Sequence, residues 1–322
     1  MSPTPRTPYG RDVIHTVTGP LSVGAVRGPV LAHEHVALDL DQKGDGAAVL
    51  DARHADAVAA ELAELRDTFG LELVIELTCR GMGRDVEALA RISRASGVSV
   101  IAATGWYYEP FHTPEIADSS VEQLTEALLL DIEGGLGSDG VRPGVLGEIG
   151  SHGDRPSDPE IRSLRAAARA GRTARLSVAT HAQLGRGGLA QLDLLTAEGL
   201  PPQRVSIGHQ DLLDDPAVHR EIAARGAYVA FDTVGKESYQ SDDVRLRLLL
   251  SLLEAGHADR ALLSCDISRH GYLRREGGQG YGHLFDSFLP KARAAGVDDD
   301  LIDLMTRRNP LRFLTGADVE EI

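Results

Sequence analysis

The segment LAHEHV, Leu31 to Val36, ends an apolar run and carries two histidines one residue apart. Side chains alternate in direction along an extended strand, so His33 and His35 share one face while Glu34 takes the other. Seven more short runs rich in β-branched and apolar residues follow, at 72–78, 98–104, 144–149, 176–181, 204–209, 227–232 and 261–266. With 30–36 they make eight candidate strands. Between them the apolar spacing becomes helical, as in Val58, Leu62, Leu65 and Phe69, in Val86, Leu89 and Ile92, and in Leu246, Leu249, Leu250 and Leu253. Strand and helix therefore alternate eight times. Such alternation implies parallel strands, and eight of them in about 250 residues is the count and size of a closed (β/α)8 TIM barrel, an α/β fold. An open doubly wound sheet shares the alternation, but neither GxGxxG nor a Walker-type glycine loop follows any of the runs. Length alone would allow two domains. The alternation instead reads residues 1–322 as one barrel, with 1–22 leading into the first strand.

Barrels of this kind do their chemistry at the C-terminal ends of the strands. The first run carries His33 and His35 there, the fourth Glu148, the fifth His181, the sixth His209 and the eighth Asp266. Four imidazoles and two carboxylates from five strands form a metal-site inventory, because these are ligands of Zn²⁺ and its first-row neighbours. Six ligands exceed what one tetrahedral ion needs, and two ions sharing a bridging carboxylate would use them all. Any one strand-end histidine is more often a hydrogen-bonded core residue than a ligand. The conjunction carries the reading, helped by the same-face geometry of His33 and His35. The remaining histidines, His15, His54, His112, His152, His219, His257, His270 and His283, fall outside these positions and are read mostly as surface or rim residues.

Thirty-three Lys and Arg face 48 Asp and Glu, a formal net charge of −15, which argues against nucleic acid or an anionic membrane as partner. No apolar run approaches the roughly 20 residues of a spanning helix, and Met1 to Arg11 hold no apolar signal core, so the expected location is cytoplasmic. Cys79 and Cys265 cannot build a disulfide framework and are expected to be small buried hydrophobes.

The motifs HEH (33–35), IELT (75–78) followed by GMGRDVEALARIS (81–93), TGWYYEP (104–110), GEIG (147–150), ATH (179–181), SIGHQD (206–211), FDTVGK (231–236) and LLSCDISR (262–269) resemble the phosphotriesterase family of the amidohydrolase superfamily. The resemblance runs from about residue 17 to 314 and is nearest to the phosphotriesterase homology protein branch, which also shares the GGQGYGHL stretch at 277–284. It implies a binuclear barrel hydrolase with His33, His35 and Asp266 on one metal, His181 and His209 on the other, and a hydroxide between them. It also assigns Asp266 the proton transfer to the leaving group. Many members bridge their metals with a carboxylated lysine on the fourth strand. This chain has three lysines, Lys43, Lys236 and Lys291, and none of them lies there, so Glu148 takes the bridge, as in the homology branch.

Substrate choice should lie in the loops. Lys236 after the seventh strand, with Arg269 and Tyr272 after the eighth, would bind a phosphate or carboxylate, and the trio resembles one that holds the phosphate in family members opening phosphorylated sugar lactones. Tyr107 stands where family lactonases place a tyrosine beside the metals. The roles of Trp106, Tyr108 and His270 stay open. The stretch 233–243 is polar and only 4% of residues are aromatic, so a polar anionic substrate fits better than a hydrophobic one. The expectation is a lactonase or esterase acting on a small polar lactone, with or without a phosphate, using two divalent ions, Zn²⁺ before Mn²⁺ or Co²⁺. Amide or phosphoester hydrolysis (diester or triester) on the same site is the alternative, and a non-catalytic metal-binding protein a distant one. Resemblance favours a homodimer.

Overall fold

The computed structural model describes residues 12–42 and 44–317, so Met1 to Arg11, Lys43 and Asp318 to Ile322 lie outside the described residues. Eight parallel strands follow the predicted runs: β1 Val30–Glu34, β2 Leu73–Glu76, β3 in two pieces at Ser99–Ile101 and Ala103–Thr104, β4 Val145–Ser151, β5 Val178–Ala182, β6 Val205–Ile207, β7 Tyr228–Phe231 and β8 Ala261–Leu263. The first piece of β3 pairs with β2 and the second with β4, so the break at Ala102 hands the sheet from one neighbour to the next. Every neighbouring pair in the order β1 to β8 is hydrogen-bonded in parallel.

Between β8 and β1 the described residues form no backbone ladder, and the seam is closed by a side chain. The fully buried carboxylate of Glu34 accepts hydrogen bonds from the amides of Cys265 and Ile267, both at 2.8 Å, and from the Ser264 hydroxyl at 2.7 Å. Those amides begin the loop that follows β8, where no strand partner is available to them. Sequence reading turned Glu34 away from the histidines, and the seam is where it goes.

Alternation along the strands builds two cores. Val30, Leu73, Ile75, Val145 and Leu262 point inward and fill the barrel, joined at its N-terminal end by Ile14, Leu311 and Phe313. Leu31, Val74, Val100, Leu146, Val178 and Val229 point outward to the helix layer. A register shift between Leu31 and Glu34 interrupts the alternation in β1, so that Ala32 packs inside and His33 also enters the barrel. The N-terminal hairpin, Val13–Thr16 and Gly19–Ser22, and the C-terminal helix Asn309–Thr315 contribute to this lower end.

Most of the outer helices begin where a side chain can satisfy the first free amides, whereas the helices that start at Ala55 and Gly188 have no such cap. In α1 Ala55–Phe69, Val58, Leu62 and Leu65 are buried, whereas Phe69 is exposed and stacks on Phe285 at 5.4 Å. Helix α2, Val86–Ser96, is capped by Asp85; α3, Val121–Gly134, and α4, Asp158–Ala174, have reciprocal capping boxes at Ser120/Gln123 and Ser157/Glu160. Helices α5 Gly188–Ala197, α6 Pro216–Ala224 and α7 Asp242–Glu254 follow, and a single helical turn at Glu115–Asp118 precedes α3. No helix among the described residues is long and apolar enough to cross a membrane. Both cysteines are free and buried.

Candidate metal centre

Six side chains from five strands meet at the C-terminal mouth, and Glu148 on β4 is their centre. Its Oε2 lies 3.3 Å from His33 Nε2, 3.1 Å from His181 Nδ1 and 3.5 Å from His209 Nε2, and its Oε1 lies 3.3 Å from His35 Nε2. Asp266 Oδ1 is 3.2 Å from His35 Nε2. All six residues are buried. His35, His209 and Asp266 stand just past the strand ends rather than within the strands, and His209 and Asp266 adopt left-handed backbone (φ +56° and +50°). Such conformations are costly outside glycine and persist where surrounding contacts fix them. Gly208 lets His209 approach: a Cβ there would stand 2.1 Å from the carbonyl oxygen of Thr180.

Each imidazole is held from outside by an acceptor. Asp232 Oδ1 accepts from the Nδ1 and the backbone amide of His209, both at 2.9 Å, and its Oδ2 lies 2.7 Å from His33 Nδ1. Thr78 donates its hydroxyl hydrogen to Glu76, so its oxygen accepts from His35 Nδ1 at 2.9 Å. Gln183 Oε1 accepts from His181 Nε2 at 2.6 Å. A ring whose proton is claimed on one side presents a lone pair on the other, and in all four histidines that side faces Glu148. The inward nitrogens of His181 and His209 are 2.8 Å apart, too close for two lone pairs with nothing positive between them. His33 Nε2 is buried and has no hydrogen-bond partner among the described residues.

Electrostatics point the same way. Burial works against charge on His33, His35 and His209, yet the carboxylates Glu148, Asp232 and Asp266 outweigh it: His33 is raised well above the usual range, His35 to about 9 and His209 to about 10. His181 is lowered by its burial. Burial likewise opposes the ionised form of Glu148 and Asp232, and neighbouring histidines hold both acids low. Three buried carboxylates thus demand positive charge, and the inward lone pairs are placed for cations to supply it. The groups His33/His35/Glu148 and Glu148/His181/His209 share Glu148, which suits two ions better than one.

Above the cluster is a cavity of about 180 Å³. Tyr107 enters it with its hydroxyl 3.1 Å from His181 Nδ1, and the Tyr108 ring stacks on His181 at 5.2 Å, 8° from parallel. Trp106 takes no part. It is fully buried, donates from Nε1 to Thr113 and Glu115 at 3.1 Å, and carries Arg80 over its ring. Lys236 lines the cavity, but its ammonium is committed to the Asp266 carboxylate and, at 3.1 Å, to Ser268 Oγ. Arg269 also lines the cavity, and its guanidinium has no ion-pair or hydrogen-bond partner among the described residues. Tyr272 does not line it; its ring lies beneath Lys236, 5.2 Å from Nζ. The expected trio therefore divides into an available cation, a cation already paired, and a support for the latter.

Asp232 is the residue that sequence reading passed over, although the rule that found the others applies to it as the last residue of run 227–232. Thr78 also ends its run, 72–78, but a threonine is not a metal-ligand type, and Gln183 lies beyond the end of run 176–181. His270 stacks on His54 at 5.2 Å rather than lining the cavity. His219 departs from the surface-or-rim reading: it is buried on α6 with its ring 5.6 Å from Phe231. His54 is buried too.

A closed parallel barrel whose C-terminal mouth gathers buried histidines around a shared carboxylate defines a metal-dependent hydrolase of the binuclear type. Residues 12–314 match the model of the phosphotriesterase family, and the chain belongs to that family. It is 36% identical over 288 residues to the phosphotriesterase homology protein of Escherichia coli K12, covering 89% of this chain and 97% of that protein. The crystal structure of the Escherichia coli protein, complexed with phosphate in its active site, matches with a TM-score of 0.86 over 89% of this chain and 98% of that one, at 35% identity. Human N-acetyltaurine hydrolase is 30% identical over 276 residues, 82% of this chain and 78% of its own length. An organophosphorus hydrolase from Deinococcus radiodurans matches at 30% identity with a TM-score of 0.84, over 98% of this chain and all of that one (100%).

Proposed function

We propose that the protein hydrolyses the carbonyl ester bond of a small anionic compound, with a lactone as the leading candidate and a phosphate as one form of its anionic group. The observation that carries this reading is the unpaired guanidinium of Arg269 on the rim of a 180 Å³ cavity whose floor is the His and Glu cluster. An arginine left without a carboxylate beside a reaction centre recognises planar anions through paired hydrogen bonds. The phosphate in the active site of the Escherichia coli relative supports an anionic substrate. So small a cavity supports a compact one.

In this reading His33, His35 and Asp266 would hold one divalent ion and His181 and His209 the other, with Glu148 available to both. Zn²⁺ leads and Mn²⁺ or Co²⁺ suits the same donors. When bound, such ions supply Lewis acidity and bring the ionisation of water toward neutral pH. Asp232, Thr78 and Gln183 keep the inward face of each imidazole free of protons. Asp266 takes at its carboxylate the proton of the water that attacks the carbonyl carbon and returns it to the oxygen that leaves, and the Lys236 ammonium beside it keeps that carboxylate ionised until it does. Tyr107 offers its hydroxyl to the reacting group, and Arg269 fixes the anionic end. The chain acts as a single barrel unit in the cytoplasm, assembled as a homodimer.

A second reading, amide hydrolysis, has its own support. N-acetyltaurine is an amide carrying a sulfonate, and the enzymes named for it are 28–30% identical to this chain. Proton release from metal-loaded protein separates the two. The panel comprises sugar lactones with and without phosphate, simple esters, N-acetylated amino sulfonates and one organophosphate. Turnover confined to lactones and esters upholds the first reading, and turnover confined to the amides replaces it with the second.

A further inference from the structure

Two histidines outside the metal centre meet face to face. The rings of His54 and His270 stand 5.2 Å apart and 12° from parallel, and they come from different elements. His54 is the N-cap of α1, and His270 opens the 3₁₀ turn His270–Tyr272 in the loop after β8. Arg269, the available cation of the cavity, is the residue directly before that turn. The contact that holds His270 therefore sets where Arg269 stands.

Helix starts favour Ser, Thr, Asp or Asn, and the His54 side chain gives no cap hydrogen bond. Its Nδ1 instead accepts from the Asp51 amide at 3.2 Å, an arrangement that only the neutral ring allows. A proton there would break that bond and put positive charge at the start of a helix, where the macrodipole opposes it. Asp51 Oδ1, 3.1 Å away, offsets part of this cost, although Arg53 already holds the same carboxylate. From the other side of the stack Arg275 opposes a charged pair and Glu276 favours it. Burial is the largest influence on His54 and lowers its pKa; Asp51 pulls the other way, and His270, Arg53 and Arg275 reinforce the lowering. A ring that protonates more readily once the loop has left it makes acid favour the undocked loop. The loop has a second hold on α1, where the Glu61 carboxylate accepts from the amides of Arg274 at 2.7 Å and Tyr281 at 3.3 Å. Burial raises the Glu61 pKa, so this hold is a rival source of acid sensitivity.

We propose that His54 and His270 are positioning residues gated by pH: neutral and stacked, they hold Arg269 at the cavity, and acid frees the loop by charging both rings. This rests on the reading that Arg269 receives the anionic group of the substrate. Two unit charges about 5 Å apart shift an equilibrium roughly fourfold under water-like screening and more than a hundredfold under protein-like screening. A stack near the surface lies between these limits, at about tenfold.

Hydrogen exchange by mass spectrometry on zinc-loaded protein reads the loop directly, in peptides spanning residues 268–276 at pH 7.5 and 5.5, corrected for the intrinsic rate at each pH. In the natural chain the loop should open about tenfold more readily at pH 5.5. His54→Phe and His270→Phe keep a flat ring in the stack and take no proton, so in either variant the acid response should fall below twofold. Equal protection at the two pH values in the natural chain would overturn the proposal. So would an acid response that survives in both variants, which would assign the release to Glu61. Sulfate, ionised across this range, tests the role of Arg269. Bound there at pH 7.5, it should slow exchange of the loop in the natural chain and have no effect in Arg269→Gln. An acid-released loop that sulfate does not protect keeps the gated stack and removes the anionic reading of Arg269; protection by sulfate without acid release does the reverse.

Discussion

Asp232 shows how much a single unliganded carboxylate can organise. It reaches Nδ1 of both His33 and His209, so two of the four imidazoles owe their orientation to it. Partners of this kind typically contribute 10- to 100-fold in metal affinity. Asp232→Ala should therefore weaken metal retention by about that factor, measured by competition with a chromogenic chelator; undiminished affinity would mean that packing alone fixes the two rings. His219 presents a different residue-scale problem. Burial lowers its pKa from 6.5 to about 4, outweighing the backbone groups of Gln210 and Leu213 beside the ring, which favour its charged form. A base lowered on folding binds fewer protons folded than unfolded between those values, so the stability it confers is complete above pH 6.5 and is lost as pH falls toward 4. Between pH 7.5 and 5 the loss is about 2 kcal/mol. Urea unfolding of His219→Leu should show a smaller drop over that interval than the parent chain by about this amount, and equal drops would exclude His219 as a source of acid sensitivity.

At the scale of elements, the seam between β8 and β1 depends on Glu34 where a strand ladder would otherwise run. Truncating it orphans two amides and a hydroxyl in the interior, and hydrogen bonds to charged groups are worth about 1.5–3 kcal/mol each. Glu34→Ala should cost about 3 kcal/mol or more in equilibrium unfolding. A loss under about 0.5 kcal/mol would show that helix packing alone closes the barrel. The loop after β7 teaches a related lesson. By composition it is a polar stretch, but it wraps Arg245, a fully buried arginine of α7 whose guanidinium reaches Asp211 at 2.7 Å, Thr233 Oγ1 at 3.0 Å and the carbonyl oxygen of Lys236 at 3.1 Å. Nothing in the local sequence distinguishes Arg245 from the solvated arginines around it. Helix boundaries were more legible, because Asp85, Ser120, Ser157, Asp215 and Ser241 are residues whose side chains can accept from free amides.

For the whole molecule, the absence of lysine between residues 44 and 235 removes any carbamate bridge from the fourth strand and leaves Glu148 as the shared carboxylate. A native carboxylate needs no CO₂. Chelator treatment should abolish activity and lower Tm, and Zn²⁺, Mn²⁺ or Co²⁺ should restore both equally well with and without bicarbonate; a bicarbonate requirement would displace Glu148 from the bridge. The stabilisation by metal follows from binding to the folded chain alone and grows with free metal concentration.

Sequence by itself determined the eightfold alternation, the parallel sheet and the six residues that meet at its mouth, because strand and helix periods and the placement of polar residues at strand ends are local properties of the chain. It also excluded the lysine bridge, a matter of counting. Tertiary structure alone decided which carboxylate orients which imidazole, that Lys236 is paired with Asp266 while Arg269 is left available, and that Trp106 is buried away from the cavity. These depend on contacts between residues tens or hundreds of positions apart, such as Glu34 with Cys265, and no periodicity within a strand or helix encodes which distant partner will arrive.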